Sequence, residues 1–202
     1  NYSRRFRLTY PNETLPEGRR QKTTALYDRF IERGAVMGVS FGLEHALWFA
    51  GSKDKAEETP TFRRSNAFSY VADEVKAVRE HVGMIEIANY AKHEFKGPGA
   101  AAFLDRLLAN KLPKTGRLAL SPMLTPKGKL YGDLTVGKLD HETFMLFGSG
   151  AAQDMHRRWF EMQMPRTGVT YRNVTDELHG FAISGPKART LLSRLTRDDV
   201  SN

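Results

Sequence analysis

The run Leu130-Tyr131-Gly132-Asp133-Leu134-Thr135-Val136 holds the side chain best suited to chemistry. At the two-residue period of a strand, Leu130, Leu134 and Val136 share one face while Tyr131, Asp133 and Thr135 share the other. A carboxylate between an aromatic ring and a hydroxyl is either an ordinary solvent-facing row or the wall of a polar site.

Other arrangements fail on their spacing. Gly97-Pro98-Gly99-Ala100 is rich in glycine, but it lacks both the lysine and hydroxyl of a phosphate loop and the periodicity of a dinucleotide fingerprint. It reads as a turn from strand to helix. Leu112-Pro113-Lys114-Thr115-Gly116 spells a cell-wall sorting pentapeptide, yet it lies mid-chain with no apolar tail behind it. The six histidines show no metal-ligand spacing, so no metal site is expected. With no cysteine in the chain, disulfides, thiolate zinc sites, iron-sulfur clusters and cysteine nucleophiles are excluded.

No segment approaches the roughly 20 apolar residues that span a bilayer. Arg4, Arg5 and Arg7 precede no apolar run, which argues against a secretory signal, and a soluble protein without a membrane partner is expected. The sequons at Asn12 and Asn173 then need no glycan. A net charge of +8 favours an anionic partner, either nucleic acid or a polycarboxylate. Aromatics interleave with arginines in Arg4 to Tyr10, but no RNA-binding signature accompanies them.

The elements that must position Asp133 follow from hydrophobic period and turn residues. A short helix is expected over Ala25 to Arg33, a surface loop over Gly51 to Pro60, and an amphipathic helix over Tyr70 to His81 with Val71, Val75 and Val78 as its apolar stripe. Met84 to Lys96 alternates like one strand. Ala100 to Asn110 reads as a helix entered through Pro98. Strands at Leu118 to Leu124, Leu130 to Lys138 and Phe144 to Phe147 are joined by turns short enough for hairpins. A helix over Ala151 to Met162, strands at Val169 to Val174 and Gly180 to Ile183, and a helix opened by Pro186 complete the chain. Hairpins mixed with helices predict an α+β fold, with antiparallel sheets and packed helices.

A set of short motifs in fixed order then carries a resemblance. Glu74, Ala77-Val78-Arg79-Glu80-His81-Val82-Gly83, Lys92, Gly97-Pro98-Gly99-Ala100, Phe103-Leu104-Asp105, Met123-Leu124-Thr125-Pro126-Lys127-Gly128 and Asp133-Leu134-Thr135-Val136 are similar to the aminomethyltransferase family typified by the glycine cleavage T protein. Gly148-Ser149-Gly150, Asn173-Val174-Thr175-Asp176 and Gly185-Pro186-Lys187-Ala188-Arg189 continue it. Tyr10-Pro11-Asn12-Glu13, Gly38-Val39-Ser40-Phe41-Gly42-Leu43-Glu44 and Phe62-Arg63-Arg64-Ser65-Asn66 resemble the stretch joining flavin and folate modules in dimethylglycine and sarcosine dehydrogenases.

The resemblance implies a partial T-protein-like fold. Residues 1–60 would be an arm and connecting segment, and 61–202 a folate-binding domain incomplete at its C-terminus. It implies tetrahydrofolate as cofactor, accepting a methylene unit from an amine-derived substrate to form 5,10-methylenetetrahydrofolate. FAD would belong to a flavin domain of the full-length parent and not to this fragment, which alone would have little turnover. Asp133 stands at the family's catalytic carboxylate. Ile87, Ala88, Asn89, Tyr90, Thr135, Phe147, Gly148 and Ser149 would line the pterin pocket, with Met123 and Leu124 as apolar wall.

Leu120 and Gly148 stand where T proteins usually carry tyrosine and asparagine. A bacterial cytoplasmic or mitochondrial matrix location follows by analogy, without a nucleic-acid partner, and an unfinished sheet edge would favour self-association. Two alternatives remain: a non-catalytic folate-binding regulator on the same fold, and a basic nucleic-acid-binding module.

Overall fold

A computed structural model describes residues 2–11 and 13–201, so the Asn12 sequon lies outside the described residues. In chain order the elements are α1 (Tyr27–Glu32), β1 (Ala35–Ser40), β2 (Leu43–Phe49), α2 (Ala67–Glu80), β3 (Gly83–Glu86), β4 (Tyr90–Lys96) and α3 (Ala100–Leu107). There follow β5 (Leu118–Leu124), β6 (Leu130–Lys138), β7 (Thr143–Ser149), α4 (Gln153–Gln163), β8 (Thr170–Asn173), β9 (Phe181–Ser184) and α5 (Ala188–Leu192). All strand pairs between these elements are antiparallel. The chain forms two compact units, one from the segments up to Ile87 and from Gly180 onward, the other from Ala88–His179.

In the first unit, β1 and β2 form a hairpin closed by Phe41 and Gly42. Both have positive φ, 50° and 83°, the twist-matched geometry of a two-residue hairpin turn. Helix α2 docks on this hairpin through Ala67, through Tyr70 stacked on Trp48 at 5.1 Å, and through Glu74, whose carboxylate accepts the Phe49 N–H at 3.0 Å. Because that face does the docking, the expected apolar stripe is not buried: Val71, Val75 and Val78 remain exposed, Val75 at 50%. Ala67 of α2 and Trp48 of β2 share one small core. Glu44 is fully buried and takes both Nε (2.8 Å) and a terminal nitrogen of Arg19, which also donates to the Met37 carbonyl at 3.1 Å. Strands β3 and β9 pair as a separate ribbon.

The second unit is a five-stranded sheet in the order β5-β6-β7-β4-β8. Its core face carries Phe95, Met123, Leu134, Val136, Phe144 and Leu146, covered by Phe103, Leu104 and Leu107 of α3 and by Phe160 of α4. The Gly97-Pro98-Gly99 turn enters α3 against the backbone of Gly168, whose carbonyl accepts the Gly99 N–H at 2.8 Å and leaves no room for a Cβ at Gly97. It is a packing turn, with no open cradle for phosphate.

Two expectations need correction here. The single strand expected over Met84 to Lys96 is two, β3 and β4, in different sheets, because the Ile87 N–H bonds to the Gly180 carbonyl before the chain starts a new ladder at Tyr90. Strict alternation along β6 also fails at Tyr131. The register shift between Met123 and Leu124 makes Tyr131 the extra residue of a β-bulge, and its ring packs on Trp159 at 4.8 Å instead of standing beside Asp133.

Candidate functional site

Strands β6 and β7 pair from Lys138/Phe144 up to Thr135/Phe147 and then part. Their outer ladders continue, β5–β6 as far as Leu124/Leu130 and β4–β7 as far as Tyr90/Ser149. The divergence opens a cavity of ≈ 400 Å³ lined by Asn89, Tyr90, Leu120, Asp133, Thr135, Phe147, Gly148, Ser149 and Gly150. Period two explains which side chains reach it. Leu134, Val136, Phe144 and Leu146 occupy the core, so Asp133, Thr135, Phe147 and Ser149 belong to the opposite face. Leu120 joins them because it pairs with Thr135, which in turn pairs with Phe147.

The lining suits a flat, polar heterocycle: Leu120, Phe147 and Tyr90 supply apolar and aromatic surface, and Thr135, Ser149 and Asn89 supply hydrogen-bonding groups. None of the hydrogen bonds or ion pairs among the described residues engages the Asp133 carboxylate, which is exposed to the cavity. The wall at Asn89 and Tyr90 is held from inside by Lys92. Its buried ammonium donates to the Tyr90 carbonyl at 2.8 Å and the Ala88 carbonyl at 3.3 Å, pinning the turn before β4. Gly150 must be glycine because a Cβ there would overlap the Asn89 carbonyl.

The structure thus brings Asn89, Tyr90, Thr135, Phe147, Gly148 and Ser149 together with Asp133 and leaves out four of the expected residues. Met123 is fully buried in the core, since it shares the parity of Ala119 and Ser121 while Leu120 and Pro122 face the other way. Leu124 lies beyond the bulge at the end of β5, opposite Leu130. Ala88 contributes its carbonyl to Lys92 and does not line the cavity. Ile87 belongs to the first unit. In the sequence, Lys92 and Gly150 stand out only as parts of motifs. A lysine within the alternation of β4 was the available sign that a charge is used internally. Among the described residues no cluster of three or more His, Cys, Asp or Glu could hold a metal, and no helix is long and apolar enough to cross a membrane.

Beneath the cavity, on the core face, lie two buried histidines with ring centroids 6.4 Å apart, His93 and His156. Nδ1 of His93 shares a hydrogen bond of 2.9 Å with the Tyr171 hydroxyl. Burial, reinforced by the charge on His156 when it is protonated, depresses His93 from 6.5 to about 4. Burial lowers His156 as well. The Tyr131 carbonyl, outside hydrogen-bonding geometry, and the Asp133 charge oppose that shift.

Between pH 6.5 and 4 the unfolded chain therefore binds a proton at position 93 that the folded chain refuses, so stability is intact above 6.5 and falls as pH is lowered. About 3 kcal/mol is expected to be lost by pH 4 from His93. Denaturant titrations followed by Trp159 fluorescence in a Trp48→Phe background check this, and His93→Gln is expected to flatten the slope.

Residues 26–202 match the family model described as GCVT N-terminal domain. The chain is 38% identical over 197 residues to the mitochondrial dimethylglycine dehydrogenase of Rattus norvegicus, covering 96% of this chain and 23% of that protein. It is 30% identical over 175 residues to the aminomethyltransferase of Natranaerobius thermophilus, covering 86% of this chain and 42% of that one. It therefore spans less than a quarter of the dimethylglycine dehydrogenases it matches. The solved structure of glycine cleavage system aminomethyltransferase T from Bartonella henselae superposes with a TM-score of 0.68 at 21% identity, over 86% of this chain and 43% of that one. That likeness bears out the α+β, partly T-protein-like architecture. With a family model matched over most of its length and relatives of both kinds, the chain belongs to the GCVT N-terminal domain family, as an aminomethyltransferase-type domain related to dimethylglycine dehydrogenase.

Proposed function

We propose that the chain is the tetrahydrofolate-binding, one-carbon transfer module of a demethylating dehydrogenase of the dimethylglycine or sarcosine type. The observation that carries this reading is the unengaged Asp133 carboxylate in a cavity with apolar walls, within a chain of this family. A reduced pterin has a flat pyrimidinone ring and presents N–H donors, which match the Asp133 carboxylate flanked by Leu120, Phe147 and Tyr90. In the proposed reaction, tetrahydrofolate supplies the nitrogens that accept a methylene unit from an amine-derived substrate.

The residues of this chain do the rest. Asp133 would accept a hydrogen bond from the reacting nitrogen, hold its proton at a carboxylate oxygen and stabilise the positive charge that develops beside it. Thr135 and Ser149 fix the orientation of the ring from the same sheet face. Leu120 and Phe147 keep water from its flat sides, so the carboxylate acts in a medium of lower dielectric. The basic surface would attract the polyglutamate tail of the folate.

The reading assigns residues 1–60 as the connecting segment and 61–202 as the folate-binding domain. A flavin domain elsewhere in the parent protein is the proposed source of the oxidised substrate, in a mitochondrial matrix or a bacterial cytoplasm.

Calorimetric titration with tetrahydrofolate tests it. Saturable binding is expected, weakened roughly threefold to tenfold by Thr135→Val, the loss of one hydrogen bond at constant shape. No heat of binding in a correctly folded protein would remove folate from the proposal.

A further inference from the structure

The cavity exists because two strands separate, and separated strands leave backbone groups that would otherwise continue their ladder. In register, Leu134 would face Gly148 and Asp133 would face Ser149, yet pairing ends at Thr135 and Phe147. Something must stop the ladder from extending. The residue found beneath the parting is His156 of α4, which is only 2% exposed. A Cβ built on Gly132 would overlap its Nε2, and one built on Gly148 would stand 2.7 Å from Cδ2 of Leu134 and 3.3 Å from Nδ1 of His156. The ring therefore packs against the bare backbone of β6 at Gly132 and, together with the Leu134 side chain, fills the space below Gly148 of β7. Neither Gly132 nor Gly148 has positive φ, so close approach, and not backbone conformation, explains the glycines.

The chemistry of the ring supports the same conclusion. Both His156 nitrogens are buried without a hydrogen-bond partner among the described residues. A histidine kept for polar bonding would not be left so. Its constant contribution at this position is a rigid, flat volume between two strands, hemmed in by His93, Tyr131 and Phe160 with centroids 6.4, 6.4 and 6.3 Å away.

We propose that His156 is the positioning residue of the cavity: inserted from α4 beneath Gly132 and Gly148, it wedges β6 and β7 apart and so sets where Asp133 and Ser149 stand. The residue touches no substrate and acts through the two strands. The proposal rests on the folate reading for its affinity readout but not for its structural one.

Two readouts on the full chain test it. In His156→Ala the ladder is expected to extend by one or two pairs, giving new backbone Overhauser contacts between Leu134 and Gly148. Tetrahydrofolate affinity is expected to fall by roughly tenfold or more, as displaced binding groups do. His156→Met, close in volume and free of unsatisfied nitrogens, is expected to rescue both the separation and the binding.

An alanine variant that folds with the strands still parted would overturn the wedge, as would a methionine variant no better than alanine. Should the alanine variant not fold, Gly132→Ala carries the test. It should lower the melting temperature in the parent, where the new methyl meets the ring, and not in a His156→Met background, where the flexible chain can yield. Equal effects in both backgrounds would refute contact at Gly132. If the parent protein binds no tetrahydrofolate, the folate reading fails, while the Overhauser contacts still decide the wedge.

Discussion

On the proposed function, Asp133→Asn is expected to reduce formation of 5,10-methylenetetrahydrofolate by the parent enzyme by about 10²–10⁴-fold, the range for losing a positioned acid–base group. Affinity for tetrahydrofolate should change only a few fold. The asparagine keeps the shape of the side chain and can still accept one hydrogen bond, but it cannot hold the proton or oppose a positive charge. Loss confined to the rate is thus the signature of a group that acts mainly in the transition state. Single-turnover measurement of product alongside calorimetry separates the two quantities. Unaltered yield in the variant would remove Asp133 from the mechanism, and equal losses in affinity and rate would make it a binding residue only.

Arg19→Met is expected to destabilise the first unit by about 3–5 kcal/mol, the cost of stranding a buried charge. Glu44 is fully buried, and its bidentate partner is Arg19, which is held above its ordinary range first by the hydrogen bond to that carboxylate. Removal of the guanidinium leaves the carboxylate without its fork of donors in a site closed to water. The double variant Arg19→Met/Glu44→Leu should recover most of the loss, because an apolar pair of similar volume escapes the desolvation penalty. Guanidinium denaturation followed by Trp48 fluorescence in a Trp159→Phe background reports on this unit. A single variant as stable as the parent would show that Glu44 reaches solvent or takes up a proton instead.

Much of the second unit was legible from local signals. Strands β5 and β6 begin and end where alternation and turns put them, because each lies in a hairpin whose register depends on residues close in sequence. Helix α3 was legible for a similar reason, since its apolar period and its glycine–proline entry agree. The burial of α2 was not. Its valines repeat at helical spacing, but the docking face was chosen by Tyr70 stacking on Trp48 and by Glu74 accepting the Phe49 N–H, the latter a contact across 25 residues of chain. The break between β3 and β4 was also hidden, because alternation says that a segment is extended and nothing about which ladder it joins.

What the sequence determined by itself was the fold class, the chemical inventory and the parity that separates Asp133 and Thr135 from Leu134 and Val136. Parity is local: every extended chain sends neighbouring side chains to opposite faces. Whether Asp133 met water or a cavity was decided only by tertiary structure, through the parting of β6 from β7, the bulge that turns Tyr131 away and the helix that brings His156 beneath them. Those depend on residues distant in the chain arriving at one place, and no spacing along a single strand records that.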